Sequence, residues 1–319
     1  MRRHARRICL LLLLPSLLLV LLPHESWGLE GDLPRLSGRY PELQEAARRG
    51  PFGLPLQVRS EERETLVSAE IHGIIDHPFR ALAATFTDPG GWCDFLVLNP
   101  NIKTCTFRRE AQETLLTLYI GSKSYRAPES ATEQVYRFLV RARHPEYVAI
   151  SLTAPRGLLG TTAHRFEFEA GSVAGKTVVA LSSSFEPSML SKLLTGIYLS
   201  TLGRNRIGFS REATEAGVPA GYVRGVKGMI ERNVMRYYLA LKAFLDTSDQ
   251  PADRQFEARA SLAYDLMNLY PAQLRQMEKA EYLDIKSREH QNQLQLQRKI
   301  AFAGSHSTEP KRRAQGARG

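Results

Sequence analysis

The chain has 319 residues, 43% of them hydrophobic, and a formal charge of +10 from 43 Lys and Arg against 33 Asp and Glu. Three cysteines and eight scattered histidines offer no CxxC or HxxxH spacing, so neither a metal site nor a cofactor is expected. A basic balance is often the mark of a nucleic-acid binder, but the export pattern at the N-terminus argues against that and for contact with anionic lipid or another anionic envelope polymer; plain solubility is the ordinary alternative.

Arg2, Arg3, Arg6 and Arg7 precede an apolar run from Ile8 to Leu22, and Ser26-Trp27-Gly28 then places small residues where a signal peptidase reads. This order predicts a secretory signal over residues 1–28, cleaved after Gly28, and a periplasmic or secreted product. An uncleaved N-terminal anchor is the alternative, although the run falls short of the roughly 20 residues a spanning helix needs. Without residues 1–28 the charge is about +7. Cys93 and Cys105 remain; in an oxidising compartment they can pair, with a stabilisation of about 2–3 kcal/mol, or they can stay as two buried thiols.

Residues 29–64 read as a peripheral arm. Tyr40–Arg49 is a short helix with Leu43 and Ala46–Ala47 on one side, stopped by the Gly and Pro residues of 50–55. A domain is expected from Thr65, over residues 65–246. Val67, Ala69 and Ile71 alternate with Ser68 and Glu70 as in a half-buried strand. Asp76 ahead of Pro78 reads as the start of a helix to Phe86, stopped at Asp88-Pro89-Gly90-Gly91, and Trp92–Leu96 is a second short turn. Strands follow at Ile102–Arg108 and Glu113–Ile120. The next, Gln134–Arg143, has Tyr136, Phe138, Val140 and Ala142 on one face and Arg137, Arg141 and Arg143 on the other. Tyr147–Thr153, His164–Glu169 and Lys176–Phe185 complete an antiparallel meander; His164, Phe166 and Phe168 face opposite to Arg165, Glu167 and Glu169. Met189–Leu202 is helical, and Gly203–Gly217 has no clear period. The last element of the domain is a long amphipathic helix over Gly221–Leu245. Its stripe is Tyr222, Val226, Met229, Ile230, Val234, Tyr237, Leu241 and Phe244, and Arg224, Lys227, Glu231, Arg232, Arg236 and Lys242 form the opposite face. Gly221, Gly225 and Gly228 crowd its first turns, which asks for close packing, room for a ligand, a hinge or simple fraying.

Strand, two short helices, a run of antiparallel strands, then a long helix: over Thr65–Leu245 this order, with the opening VSAEIHGIIDHPFRALAATFTDPGGWCDF, resembles the START/Bet v1-like superfamily. The resemblance implies an α+β helix-grip fold, an antiparallel sheet curled around a long C-terminal helix with a cavity between them. Members of that superfamily bind lipids, sterols, plant hormones or polyketides, and a minority are enzymes such as cyclases. The stretch Pro187–Ala220 departs from the compact family pattern.

Catalytic groups are sparse. There is no GxSxG elbow, and His164, Asp94 and Glu186 are the polar groups that an acid–base mechanism in such a cavity would draw on; satisfied polar groups are the plainer account. No catalytic residue is assigned. The expected walls are Phe138, Phe166, Phe168, Leu181, Tyr222, Val226 and Met229, with Ser183 as a polar contact, and all of them also suit a plain core.

A helical extension is expected over residues 247–303. Phe256, Ala260, Ala263, Met267 and Tyr270 share one helix face, Pro271 interrupts, and Gln273 to Ile300 is polar almost all round, with Leu294 and Leu296 as its anchors. Such a helix extends into solvent or packs on a protein partner through residues 254–300. Residues 304–319 read as a disordered basic tail. The functional expectation is an exported carrier of a lipid or other apolar molecule. The alternatives are a non-catalytic envelope adaptor and a cyclase-type enzyme with a close His–carboxylate pair.

Overall fold

The computed structural model describes residues 33–50, 52–201, 203–213, 219–274 and 277–307. Residues 1–28, read as an export signal, lie outside them, as do residues 308–319 of the tail expected from residue 304; residues 304–307 of that tail are instead the last turn of a helix. No helix among the described residues is long and apolar enough to cross a membrane.

Eight strands form one antiparallel sheet: β1 (Leu56–Glu62), β2 (Val67–Ile75), β3 (Ile102–Arg109), β4 (Thr114–Ile120), β5 (Thr132–His144), β6 (Tyr147–Arg156), β7 (Thr162–Val173) and β8 (Lys176–Glu186). Their order across the sheet is β1-β2-β8-β7-β6-β5-β4-β3. Two short helices, α3 (Phe79–Phe86) and α4 (Pro89–Leu96), follow β2. After β8 come α5 (Met189–Ser200), a small hairpin of β9 (Arg211–Ala213) and β10 (Pro219–Tyr222), and the long α6 (Gly225–Asp246). Helix α6 lies against β1, β2 and β8, and the sheet curls around it. This is the helix-grip arrangement.

The sheet starts before Thr65. β1 lies inside the segment read as an arm and pairs with β2 from Leu56↔Gly73 to Glu62↔Val67. An edge strand buries one face only, so the charges Arg59, Glu61 and Glu62 are compatible with it. Asp76 does not cap α3. Extended Pro78 holds the cap position, and Asp76 accepts from Lys176 Nζ at 3.2 Å. The Asp-Pro start signal operates one helix later, where Asp88 accepts from Gly90 N at 2.8 Å and Pro89 opens α4. A disulfide joins Cys93 of α4 to Cys105 of β3, with Cα atoms 4.9 Å apart.

The convex face carries its own small core. Helices α1 (Leu33–Gly38) and α2 (Tyr40–Arg49) press Leu36 and Leu43 onto Ile74, Tyr147, Ala149, Val178 and Ala180. Glu167 and Glu169, on the face of β7 opposite to Phe166 and Phe168, are buried there. Arg35 reaches Glu169 at 2.6 Å, and Arg141 and Arg165 reach Glu167 at 2.8 and 3.0 Å. His72 of β2 sits under the same cover, and burial, then the charges of Arg39, Arg35 and Arg59, push its pKa down to about 4 against a weaker pull from Glu42. The native state therefore holds His72 neutral, while the unfolded chain takes up a proton below pH 6.5. Stability should be full above pH 6.5 and fall by about 3 kcal/mol as pH drops from 6.5 to 4. Urea unfolding of wild type and His72→Leu across that range checks this. The variant should show the shallower slope, and coincident slopes would exclude His72 as the source.

The C-terminal helices pack on the same unit. α7 (Gln255–Asn268) buries Ala260, Ala263 and Met267 against α6, Pro271 opens a short α8 (Pro271–Leu274), and α9 (Lys279–Ser307) runs along β3. The expected anchors of α9 are reversed: Leu294 is exposed, whereas Gln293 is buried. Cys105 N donates to Gln293 Oε1 at 3.0 Å; Phe107 N donates to Gln297 Oε1, and Gln297 Nε2 donates to Phe107 O. Side-chain amides thus satisfy the free edge of β3 as a ninth strand would. Residues 254–300, expected to extend into solvent or to pack on a protein partner, lie on α6 and β3 of this chain.

Candidate ligand-binding cleft

Strand register sorts the concave face into rows. Phe138, Leu152, Phe166, Ser183 and Ala69 stand opposite one another across five strands, and Val140, Ile150, Phe168, Leu181 and Ile71 form the next row. The second row is the closed end. Phe168 touches Phe86 and Trp92 at ring distances of 5.4 and 5.8 Å, and Phe86 also meets Phe244 of α6. Trp92 donates its indole N–H to Phe86 O at 2.7 Å and lies 6.0 and 5.7 Å from Phe138 and Phe166. Edge-to-face packing of this kind leaves no room for a guest. Phe168 and Leu181 are therefore core, and Phe138 and Phe166 form a floor, with Tyr237 of α6 edge-on to Phe166 at 5.0 Å.

Above that floor the packing loosens. Tyr136, His164, Ser183 and Phe185 on the strands, and Val226, Met229 and Asn233 on α6, are only half-buried. Helix α5 runs across this end. Ser188 at its N-cap donates to Leu159 O, Lys192 Nζ donates to Glu64 O in the β1–β2 turn, and Tyr198 lies within electrostatic reach of Arg232 and Arg236 of α6. α5 has Lys192 as its sole charge, yet Met189 is 90% exposed, Leu193 62% and Ile197 53%. Twelve residues rich in Leu and Ile that pack on so little are an exposed apolar surface in want of an occupant.

Tyr222 is misplaced by the helical reading. It belongs to β10, with the Arg211 guanidinium 5.4 Å above its ring, because α6 begins only at Gly225, whose positive φ of 63° marks the turn into the helix. Gly228 is needed for a close approach, though not to the sheet. A Cβ there would stand 3.0 Å from Val223 O and 3.2 Å from Gly208 N, so loop 203–210 lies directly on the helix.

That loop explains why the supposed solvent face of α6 is buried. Glu231 is 0% exposed and accepts from Ser60 Oγ at 2.6 Å, Phe209 N at 2.7 Å, Ser210 N at 2.9 Å and Ser210 Oγ. Arg232 donates to Ile207 O at 3.1 Å, and Arg236 to Arg232 O at 3.3 Å; both side chains are buried. The heptad-like spacing on α6 carries no sign of this, since the covering loop has no period of its own.

His164 has a structural partner. Its Nε2 lies 2.7 Å from Thr161 Oγ1, its ring stacks on Phe185 at 5.4 Å, and burial lowers its pKa. Asp94 faces Arg259 at 3.5 Å and Glu186 accepts from Thr162, so neither is paired with His164. Two roomy surface grooves lie elsewhere. One of about 770 Å³ runs between Leu33, Phe79, Arg80 and the His144–Tyr147 turn. Another, of about 620 Å³, lies by Leu115, Val135, Arg137 and Leu158.

No protein-family model matches the chain, and no curated protein matches it in sequence. Solved structures similar to it include a conserved protein of unknown function from Enterococcus faecalis, at 10% identity over 73% of this chain and 98% of that one, with a TM-score of 0.34. A STAR-related lipid transfer protein from Xanthomonas axonopodis matches at 13% identity over 45% of this chain and 85% of its own fragment, TM-score 0.33. An aromatase/cyclase from Streptomyces sp. R1128 matches at 15% identity over 62% and 94%, TM-score 0.32. The last two are START/Bet v1-like proteins. Scores of this size mark a remote likeness and carry no functional weight.

Proposed function

We propose that this chain binds a lipid or another apolar small molecule at the open end of its grip, between α5 and the row of Phe138, Phe166 and Ser183. One observation carries the reading: half-buried apolar side chains on the concave face lie beneath a helix whose own large apolar side chains are exposed. A guest there covers both surfaces at once, at about 25 cal/mol per Å² of apolar area removed from water. Lys192 of α5 and Arg204 just beyond its end are exposed, so the same helix suits contact with an anionic lipid layer from which a guest is drawn. The export signal over residues 1–28 and the Cys93–Cys105 bridge fit a working place outside the reducing cytoplasm.

Native mass spectrometry on protein taken from its own compartment, followed by organic extraction, tests the reading. A discrete adduct that extracts as lipid is expected. Ser183→Trp, which fills the space over the floor, should cut uptake of added lipid at least tenfold while leaving the fold intact. A clean unliganded mass with no uptake from a total lipid extract would overturn it.

A further inference from the structure

The mouth of the cleft is unusual in its charge. Arg232 and Arg236 project from successive turns of α6, Arg206 from the loop lying on that helix, and Lys123 from the β4–β5 loop opposite; the four lie within electrostatic reach of one another. Arg232 and Arg236 have no carboxylate within salt-bridge distance among the described residues, and Arg236 Nε is buried without a hydrogen-bond partner. Glu231 is the nearby acid, and its oxygens are already taken by Ser60, Phe209 and Ser210. Buried cations are normally paired. Arg236 is next in the chain to Tyr237, whose ring is edge-on to Phe166 of the apolar floor at 5.0 Å.

We infer that Lys123, Arg232 and Arg236 form an anion site that takes the carboxylate or phosphate head of an amphiphile whose tail lies under α5. The inference rests on the apolar-ligand reading above and adds a head-group class to it. Arginine guanidinium forks suit carboxylate and phosphate oxygens, and a desolvated site strengthens each such bond. The electrostatics agree: burial, and then the neighbouring cations, push Lys123 down to about 7 and hold Arg236 below its ordinary range. A guanidinium cannot shed its proton, so a bound anion is the available relief.

The test compares palmitate and lysophosphatidic acid with hexadecanol and monopalmitoylglycerol on the full-length protein, together with thermal shift by inorganic phosphate alone. Wild type should bind each acid at least tenfold tighter than its neutral counterpart. Arg236→Met should remove that preference and leave the affinity for the neutral pair unchanged. Lys123→Met, on the half-buried β4–β5 loop away from the α6 core, should reduce the preference several-fold and covers the case in which the Arg236 variant fails to fold. Acid and neutral ligands binding alike, with no phosphate shift, would overturn the anion site and leave the apolar reading standing. A phosphate shift lost in the Lys123 variant, with no amphiphile bound, would keep the anion site, assign it to a free anion and remove the lipid reading.

Discussion

Glu289→Ala should destabilise the fold by about 3–5 kcal/mol, the range for removing one partner of a buried ion pair. Glu289 of α9 sits between two ammonium groups that are equally buried, Lys103 of β3 at 2.8 Å and Lys286 at 2.6 Å. Each lysine also donates to backbone carbonyls, Lys103 to Pro100 and Ser124, Lys286 to Asn99 and Ile102. Those carbonyls solvate the cations but cannot neutralise them. Burial already pushes Lys286 down to about 8, with Glu289 pulling the other way. Without the carboxylate, two charges face each other in a dry site, and α9 loses its grip on β3. Urea unfolding of the variant measures the loss. A change under about 1 kcal/mol, the value of an exposed pair, would mean that α9 is held by its other contacts alone.

The second large effect is expected at Glu231→Ala. The substitution strands the amides of Phe209 and Ser210 and the hydroxyls of Ser60 and Ser210 in a buried place. A cost of about 3 kcal/mol or more follows, because donors lose an ionised acceptor that water does not replace. Loop 203–210 supplies the carbonyl that anchors Arg232, so ligand affinity should fall with stability. Hydrogen exchange gives the specific readout: the Phe209 and Ser210 amides should exchange faster than the α6 core amides. Uniform acceleration across the chain would point to global weakening and not to release of the loop.

Much of the architecture was legible in the chain. The alternation of Tyr136, Phe138 and Val140 and the stripe of α6 each follow from burying one face, and burying one face leaves a period. What failed was everything covered from two sides. Glu231, Arg232 and Arg236 have the spacing of a wet helix face and are buried because an aperiodic loop lies on them. Gln293 and Gln297 look like solvent residues because amides that complete a strand edge need neither apolarity nor a repeat. Strand β1 was missed because Leu56 and Val58 are followed at once by charges that an edge tolerates. The apolar concave face was legible and the charge beside it was not: Phe138 and Phe166 announce themselves by alternation and are buried, while Lys123 sits on a loop without a period.

The sealing of β3 by α9 has a consequence for the order of synthesis. Phe107 meets its cover, Gln297, 190 residues later in the chain. A ribosome therefore releases every strand of the sheet long before it releases the segment that closes the sheet's edge. Through most of translation the nascent protein carries a bare row of amides and carbonyls on β3, and a message cut short between α6 and Glu289 would yield a product that has all its strands and that one open edge. Such a truncated chain is a template for strand addition by its own copies, so early termination turns a closed sheet edge into a seed for assembly.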